Sequence, residues 1–507
     1  MHHSVPRRNN QPHMNLKEKL CHRAFRMVGE CADQANRECY VVGGYVRDIL
    51  LGRPSKDIDF LTIGSGIDLA QDVARRIGPK AHIAVYRTYG TAQVHDGPLE
   101  LEFVGARKES YNRNSRNPIV EDGTLDDDLS RRDFTINAMA VSVNSATFGE
   151  LIDKFNGLSD LDNKIIRTPL DPDITFSDDP LRMMRAIRFA TQLQFKIHHS
   201  TFRAITRNAY RIEIIVAERI KDELSKIMRS PKPSIGWDLL SQTGLLKLIL
   251  PELEALRGVE IVNGRGHKDN FYHTLQVLDS VAAQSDNEWL RWAALLHDIA
   301  KPVTKRYDDE LGWTFHNHNF IGSKMVPGIF SRLKLPLGAE MRYVKKLVEL
   351  HMRPIALVDE EITDSAVRRL INYAEDDLSD LMILARADIT SKNEAKKQRF
   401  LENFNIVEEK FADIKAKDAE RNRKNPIDGN EIMHIFGLSQ SPLVGYFTKN
   451  LKQAIKDCEI EDTRTAALAY LMELATKAGL SPVNPPSEDP SEGTDTRETQ
   501  TRGIEGK

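Results

Sequence analysis

The chain has 507 residues and a formal charge of −3, with 71 Lys and Arg against 74 Asp and Glu. That length exceeds what one hydrophobic core serves, and the balanced charge means only local clusters can argue for a nucleic-acid partner. Cys21, Cys31, Cys39 and Cys458 lack metal or disulfide spacing and suit a reducing, cytoplasmic setting, and no apolar run reaches membrane-spanning length.

Residues 1–15 read as a polar, disordered lead without the apolar core of a signal peptide. Leu20, Ala24, Met27, Val28 and Ala32 then share one helical face. "CYVVGG" is a strand ending in a Gly-Gly turn, and "YVRDILLG" is a helix closed by Gly52. "DIDFLTIG" is a strand, "IDLAQDVARRIG" a helix and "LELEFVGAR" a strand. This alternation predicts a small α/β unit up to about residue 150. Beyond "DKFNGLSDLDNKIIRTP" the strand signal fades. "DDPLRMMRAIRFATQLQF" and "AERIKDELSKIM" are helical, as is most of the chain to about residue 478. The Pro-, Ser- and Thr-rich tail cannot bury enough to offset its ordering entropy.

Asp57 and Asp59 fall on one face of a strand, about 7 Å apart. Like charges so close call for a cation between them, and Mg²⁺ combines one or two carboxylates with phosphate oxygens. Gly43 and Gly44 offer a phosphate close approach to backbone amides just before the next helix. Glu100 and Glu102 add a second acidic pair, with Glu102 the better third carboxylate because it lies deeper in its strand. Arg131 and Arg132 carry planar forks suited to phosphate and ribose, and Asp133 can orient a guanidinium or accept from a ribose hydroxyl. Asp179 and Arg182 are spaced to share a helix face. Such a pair matches adenine and cytosine, which both present an amine beside an acceptor, and mismatches guanine and uracil. Each feature alone also suits an ordinary turn, a solvated strand face or a surface ion pair.

Taken in order, "GGYVRD", "DID", "RRDFTINAMA", "DKFNGLSDL", "DDPLR" and "ERIKDELSKI" resemble class II tRNA nucleotidyltransferases and bacterial poly(A) polymerases over roughly residues 20–260. The resemblance implies an α+β fold: a polymerase-β-like head with a mixed sheet, then a mostly helical neck and body. It implies Mg²⁺ on Asp57 and Asp59, with Glu102 as a third catalytic acid. It also implies a nucleotide site of Gly43, Gly44, Arg47, Arg131, Arg132, Asp133, Asn137, Asp179, Arg182 and Arg185. Where the family often has Glu before Asp179, this chain has Asp178, which keeps the charge.

His297 and Asp298 sit side by side in an apolar stretch expected to be helix interior, where polar groups need partners. With His273, His318, His351 and Asp388 they resemble the HD phosphohydrolase superfamily over about residues 268–390. That resemblance implies one or two metals of a transition type whose identity the sequence leaves open. His267 and His316 fit the spacing less well. The basic stretches at 107–118 and 415–426 are candidates for RNA contact or solvated surface.

The expected order is a lead at 1–15, a head at 16–165, a neck at 166–230, a body at 231–265, an HD domain at 266–395, a helical region at 396–478 and a tail at 479–507. The expected activity is CCA addition to tRNA from CTP and ATP, in the cytoplasm, without a membrane partner. Poly(A) or A-only addition is the first alternative. An HD hydrolase with the head as RNA-binding platform is the second. Oligomeric state is not legible.

Overall fold

The computed structural model describes residues 14–484 apart from 80, 111–118, 360–362, 391–393, 423–424, 457–458 and 462. They belong to two compact units, one ending at Val407 and one beginning at Glu408.

The head is built on β1 (Cys39–Val42), β2 (Asp57–Thr62), β3 (His82–Tyr86), β4 (Thr91–Asp96), β5 (Leu99–Gly105), β6 (Arg107–Ser110), β7 (Ile119–Asp122), β8 (Met139–Ser142) and β9 (Leu151–Asp153). Seven of these form one sheet in the order β3-β4-β5-β2-β1-β8-β9, and β6 and β7 pair separately. β2 and β5 run parallel, whereas every other neighbouring pair in the large sheet is antiparallel. The sheet is therefore mixed, and the fold class is α+β as expected.

Alternation on β2 divides the strand cleanly. Ile58 and Phe60 are buried, with Phe60 stacked on Phe103 of β5 at 5.2 Å and tilted against Phe25 at 6.0 Å. Phe25 belongs to α1 (Arg23–Gln34), whose apolar stripe includes Ala24, Val28 and Ala32. α2 (Gly44–Leu50) follows β1 directly, and α3 (Gly66–Ile77) is capped by the Ser65 hydroxyl accepting from the Asp68 amide. With that face filled, Asp57 and Asp59 project from the other.

α4 (Leu125–Ser130) and α5 (Gly157–Asp162) flank β8 and β9 in sequence. The neck contains α6 (Pro172–Asp178), α7 (Leu181–Leu193), α8 (His199–Asn208) and α9 (Ala217–Met228). α7 and α9 are joined by a buried pair, Arg188 Nε to Glu223 Oε2 at 2.6 Å. The helices Asn270–Ala282, Glu288–Leu296, His318–Arg332, Ala339–Leu350 and Leu378–Asp388 follow, and Trp292 meets Trp237 edge-on at 5.8 Å. In the second unit Ile432, Phe436, Phe447, Leu451 and Leu471 pack into a core of their own. No helix among the described residues is long and apolar enough to cross a membrane.

The ordered chain starts earlier than its polar composition suggested. Met14 accepts a backbone hydrogen bond from Leu151, and Asn15 forms a β-bridge with Glu150. It also runs past residue 478: Leu480 packs on the C-terminal core, and the Val483 amide donates to Ile435 at 2.8 Å. Sheet-edge pairing and core contact supply the order that composition does not. The rest of the expected lead, most of the tail, Cys458 and most of the 107–118 basic stretch lie outside the described residues, as do most side chains of 415–426.

A side chain at Gly66 would place its Cβ 2.7 Å from the Val104 carbonyl carbon, so α3 seats backbone to backbone on β5. Gly66→Ala should cost about 1–3 kcal/mol through overpacking. Chemical denaturation is the check, and an unchanged midpoint would show that α3 can shift freely.

Candidate active site

Backbone geometry assembles the head site. β1 ends at Val42, Gly43 follows with a φ of +76° that suits glycine, and α2 begins at Gly44. The antiparallel register sets Val42 opposite Asp59, and the parallel register sets Asp59 opposite Glu102 and Asp57 opposite Glu100. Glu100 accepts from Gln93 Nε2 at 3.2 Å. An added Cβ on Gly43 would lie 2.9 Å from Arg132 NH1 and 3.2 Å from Asp59 Oδ2, so the bare turn faces both groups.

These residues open onto a cleft of about 470 Å³ lined by seven arginines and three aspartates. The arginine surplus makes it a polyanion site. Gly43, Gly44, Arg47, Asp59, Arg131, Arg132, Asp133, Asn137, Asp179, Arg182 and Arg185 all line it. Asp57, exposed on the same strand, and Glu102 do not.

Burial lifts the Asp59 carboxyl above its usual range; Arg132 opposes this, while Asp57 and Asp128 add to it. Glu102 is lifted by partial desolvation and then by Asp59. The three head carboxylates do not form a tight ligand cluster among the described residues. Their all-oxygen donor set and undercompensated charge nevertheless suit a hard divalent cation.

Asp133 is the buried hub. Its Oδ1 accepts from the Phe134 amide at 2.8 Å and Asn137 Nδ2 at 3.0 Å, while Oδ2 accepts from Arg185 at 2.6 Å. Asn137 in turn accepts from Arg47 NH1 at 2.9 Å. Asp133 therefore orients Arg185, rather than one of the adjacent arginines, and ties the head to α7. Burial alone would raise its carboxyl, but Arg185 and Asn137 outweigh this and hold it below the usual range.

Asp179 and Arg182 both reach the cleft but are not paired with each other as expected. Asp179 Oδ2 lies 3.6 Å from Arg219, and Arg182 donates to the Arg131 carbonyl at 2.7 Å. The reason is a break: Asp179 closes α6 and precedes Pro180, so the two residues do not lie on one continuous helix. Sequence reasoning missed four lining residues, Leu181, Arg188, Phe189 and Arg219. Arg219 lay unremarked within "ERIKDELSKI". Arg188 and Phe189 sit one turn beyond Arg185, with Arg47, Arg185 and Arg188 all over the Phe189 ring at 3.9–5.5 Å. Cationic residues at helical spacing around an aromatic were the available signal.

The second site brings together all six expected residues. His273, His297 and Asp388 form one group of converging ligand atoms, and Asp298, His318 and His351 form another. Asp298 lies between them: Oδ2 is 3.2 Å from His297 Nε2, and Oδ1 is 3.3 Å from His318 Nε2. His273 Nε2 meets Asp388 Oδ1 at 2.8 Å. The Nδ1 atoms of His297, His318 and His351 each face a backbone carbonyl, at 2.8, 2.8 and 2.7 Å, which turns every Nε2 inward. His297 and Asp298 follow the helix Glu288–Leu296 rather than lying inside it, and the turn lets both side chains reach one centre.

His297 is fully buried, yet its Nε2 makes no well-formed hydrogen bond. Burial lowers its pKa, but Asp298 and Asp388 prevail and raise it to about 10. His351 is pushed down to about 4 by burial and by His297. An inward Nε2 without a well-formed hydrogen bond, set among carboxylates, fits a cation held by nitrogen and oxygen, the donor set of transition metals. The adjoining cavity of about 1120 Å³ is also lined by His267, His316, Lys268 and Lys301; neither extra histidine joins a ligand group.

Comparisons with known proteins find relatives for the regions that contain both sites. Residues 39–167 match the poly A polymerase head domain, 194–256 the probable RNA- and SrmB-binding site of polymerase A, and 270–393 the HD domain. The class is that of nucleotidyltransferases with a poly(A)-polymerase-type head, here joined to an HD domain. An A-adding tRNA nucleotidyltransferase of Deinococcus radiodurans is 31% identical over 82% of this chain and 90% of its own length. One of Aquifex aeolicus is 51% identical over 32% of this chain, a match that spans 19% of that relative's length. A tRNA nucleotidyltransferase solved with a primer tRNA and an incoming ATP analog is 27% identical, with a TM-score of 0.54, over 77% of this chain and 99% of its own. The chain belongs to the tRNA nucleotidyltransferase family.

Asp133→Asn keeps the hub's shape and removes the charge facing Arg185. It should destabilise the fold by about 3 kcal/mol at neutral pH, the usual size for a broken buried pair. The wild-type contribution is present above the ordinary Asp value of about 3.9 and is lost as pH falls through the lower folded value. Thermal unfolding measured from neutral to acidic pH should show the gap between the two proteins narrowing on the acid side. A gap independent of pH would mean that the charge is not what matters.

Proposed function

We propose that this chain transfers nucleotides from ribonucleoside triphosphates to the 3′ end of tRNA, with terminal A as the minimum product. The observation that carries the reading is one cleft in which Asp59 and Arg132 face the Gly43 turn while Asp179 and Arg182 stand at the neck side. Mg²⁺ bound to Asp57 and Asp59, with Glu102 alongside, would supply charge neutralisation for in-line displacement at the α-phosphate. The protein's own contribution is placement. The Gly43–Gly44 turn admits phosphates close to the backbone, Arg131 and Arg132 fix triphosphate and ribose, and Asp179 with Arg182 reads the base edge.

Two products compete. Addition of the whole CCA follows from a base-reading pair that accepts both cytosine and adenine. Addition of A alone is favoured by the relatives, both described as A-adding. The second site is proposed to hold one or two transition metals on His273, His297, Asp298, His318, His351 and Asp388, in a phosphohydrolase module. Unpaired Cys21, Cys31 and Cys39 suit a cytoplasmic enzyme. We further propose that the neck runs over 166–230 and the body over 231–265, as read from the sequence.

The deciding assay offers tRNA ending before the first C, and tRNA ending in CC, with CTP, ATP or both. Use of CTP on the shorter tRNA makes the enzyme CCA-adding. ATP use on the CC form alone makes it A-adding. Equal ATP use on unrelated RNA would remove the tRNA reading.

Asp59→Ala should lower addition about a thousandfold or more, the loss of several kcal/mol of transition-state stabilisation. His297→Ala should leave addition intact and reduce the metal retained after dialysis, read by elemental analysis. Unchanged metal content would show that these histidines are not ligands.

A further inference from the structure

We propose that Asp128 is a positioning residue that aims Arg132, and with it Arg131, at the incoming triphosphate; the claim rests on the nucleotide-transfer reading above. Asp128 lies within an acidic run, Asp126 to Asp128, whose members have different fates. Asp126 pairs with Lys154 at 2.7 Å, and Asp127 closes a capping box with Thr124. Asp128 alone of the three is fully buried, at 0% exposure.

Its backbone is held on two sides. The capping box fixes the start of α4, and the neighbouring Leu129 is packed among Val42, Leu61, Ala106 and Ala140 of the head core. Each carboxylate oxygen then grips one guanidinium. Oδ1 accepts from Arg131 Nε at 3.0 Å and NH2 at 2.6 Å; Oδ2 accepts from Arg132 Nε at 3.1 Å and NH2 at 3.0 Å. Four charge-assisted hydrogen bonds orient two planar groups from one buried point.

The grip on Arg132 uses Nε and NH2 and directs NH1 toward the Gly43 turn and Asp59. A loose arginine carries considerable rotamer entropy. Fixing it before the nucleotide arrives removes that ordering cost from binding. The clamp extends one step further, because the Arg131 carbonyl accepts from Arg182 NH2 at 2.7 Å. The phosphate-facing and base-facing arginines thus share one anchor.

The test is steady-state addition of A to tRNA ending in CC. Asp128→Asn turns one acceptor into a donor facing a guanidinium. KM for ATP should rise roughly tenfold to a hundredfold, with kcat falling less and the Kd for tRNA unchanged. In an Arg131→Ala/Arg132→Ala background the same substitution should add little, because both guanidiniums that Asp128 holds are gone. Should Asp128→Asn fail to fold, Arg132→Lys keeps the charge but cannot fill the two-point grip, and should raise KM for ATP in the same way. An unchanged KM in either variant, or an undiminished effect of Asp128→Asn on the Arg131→Ala/Arg132→Ala protein, would overturn the proposal. Wild-type enzyme that adds no nucleotide would instead remove the transfer reading on which it stands.

Discussion

A carboxylate taken out of water must be met by nearly as many donors as it loses, and the two sites are organised around that requirement. Asp133 is buried where head meets neck, so it draws the Phe134 amide, Asn137 and Arg185 onto itself. Asn137 brings in Arg47, and Arg185 brings in the Phe189 ring. One buried acid thus places groups from the Gly-Gly helix, the head and the neck at a single cleft. Without it, α7 would lose the Arg185 tie to the head and keep the Arg182 bond to the Arg131 carbonyl.

The HD site solves the same problem differently. Asp298 and Asp388 are met by imidazoles rather than guanidiniums, with the Lys301 ammonium also on Asp298 at 2.6 Å, and three of those imidazoles have their outer nitrogen committed to a backbone carbonyl. Guanidiniums cannot give up their protons and so make a permanent counter-charge. Imidazoles can, which makes the same geometry exchangeable for a metal. The unpartnered Nε2 of His297 marks where that exchange is left open.

Much of this was legible in the sequence because the signals were local. Period-two alternation around Asp57 and Asp59 gave the strand and its two faces, and Gly43–Gly44 gave the turn. The resemblance to the HD superfamily named the histidines that converge on Asp298 and Asp388, and His267 and His316, which fitted the spacing less well, join neither group. What escaped depended on chain direction and distant pairing. Pro180 reads as a helix start, but that it separates Asp179 from Arg182 depends on how α6 ends. Arg219 meets Asp179 only because α9 folds back beside α7. Met14 and Asn15 look disordered by composition and are ordered by the edge of β9, which lies about 135 residues away.

The parallel pairing of β2 with β5 has a consequence for how the head is made. Strands joined this way need a long crossover, here the segment through α3, β3 and β4. During synthesis β2 emerges well before its partner and waits with one edge bare. Asp57 and Asp59 repel one another and any equally acidic neighbour, so the nascent strand is a poor template for aggregation. The same two acids thereby guard the strand before its partner arrives.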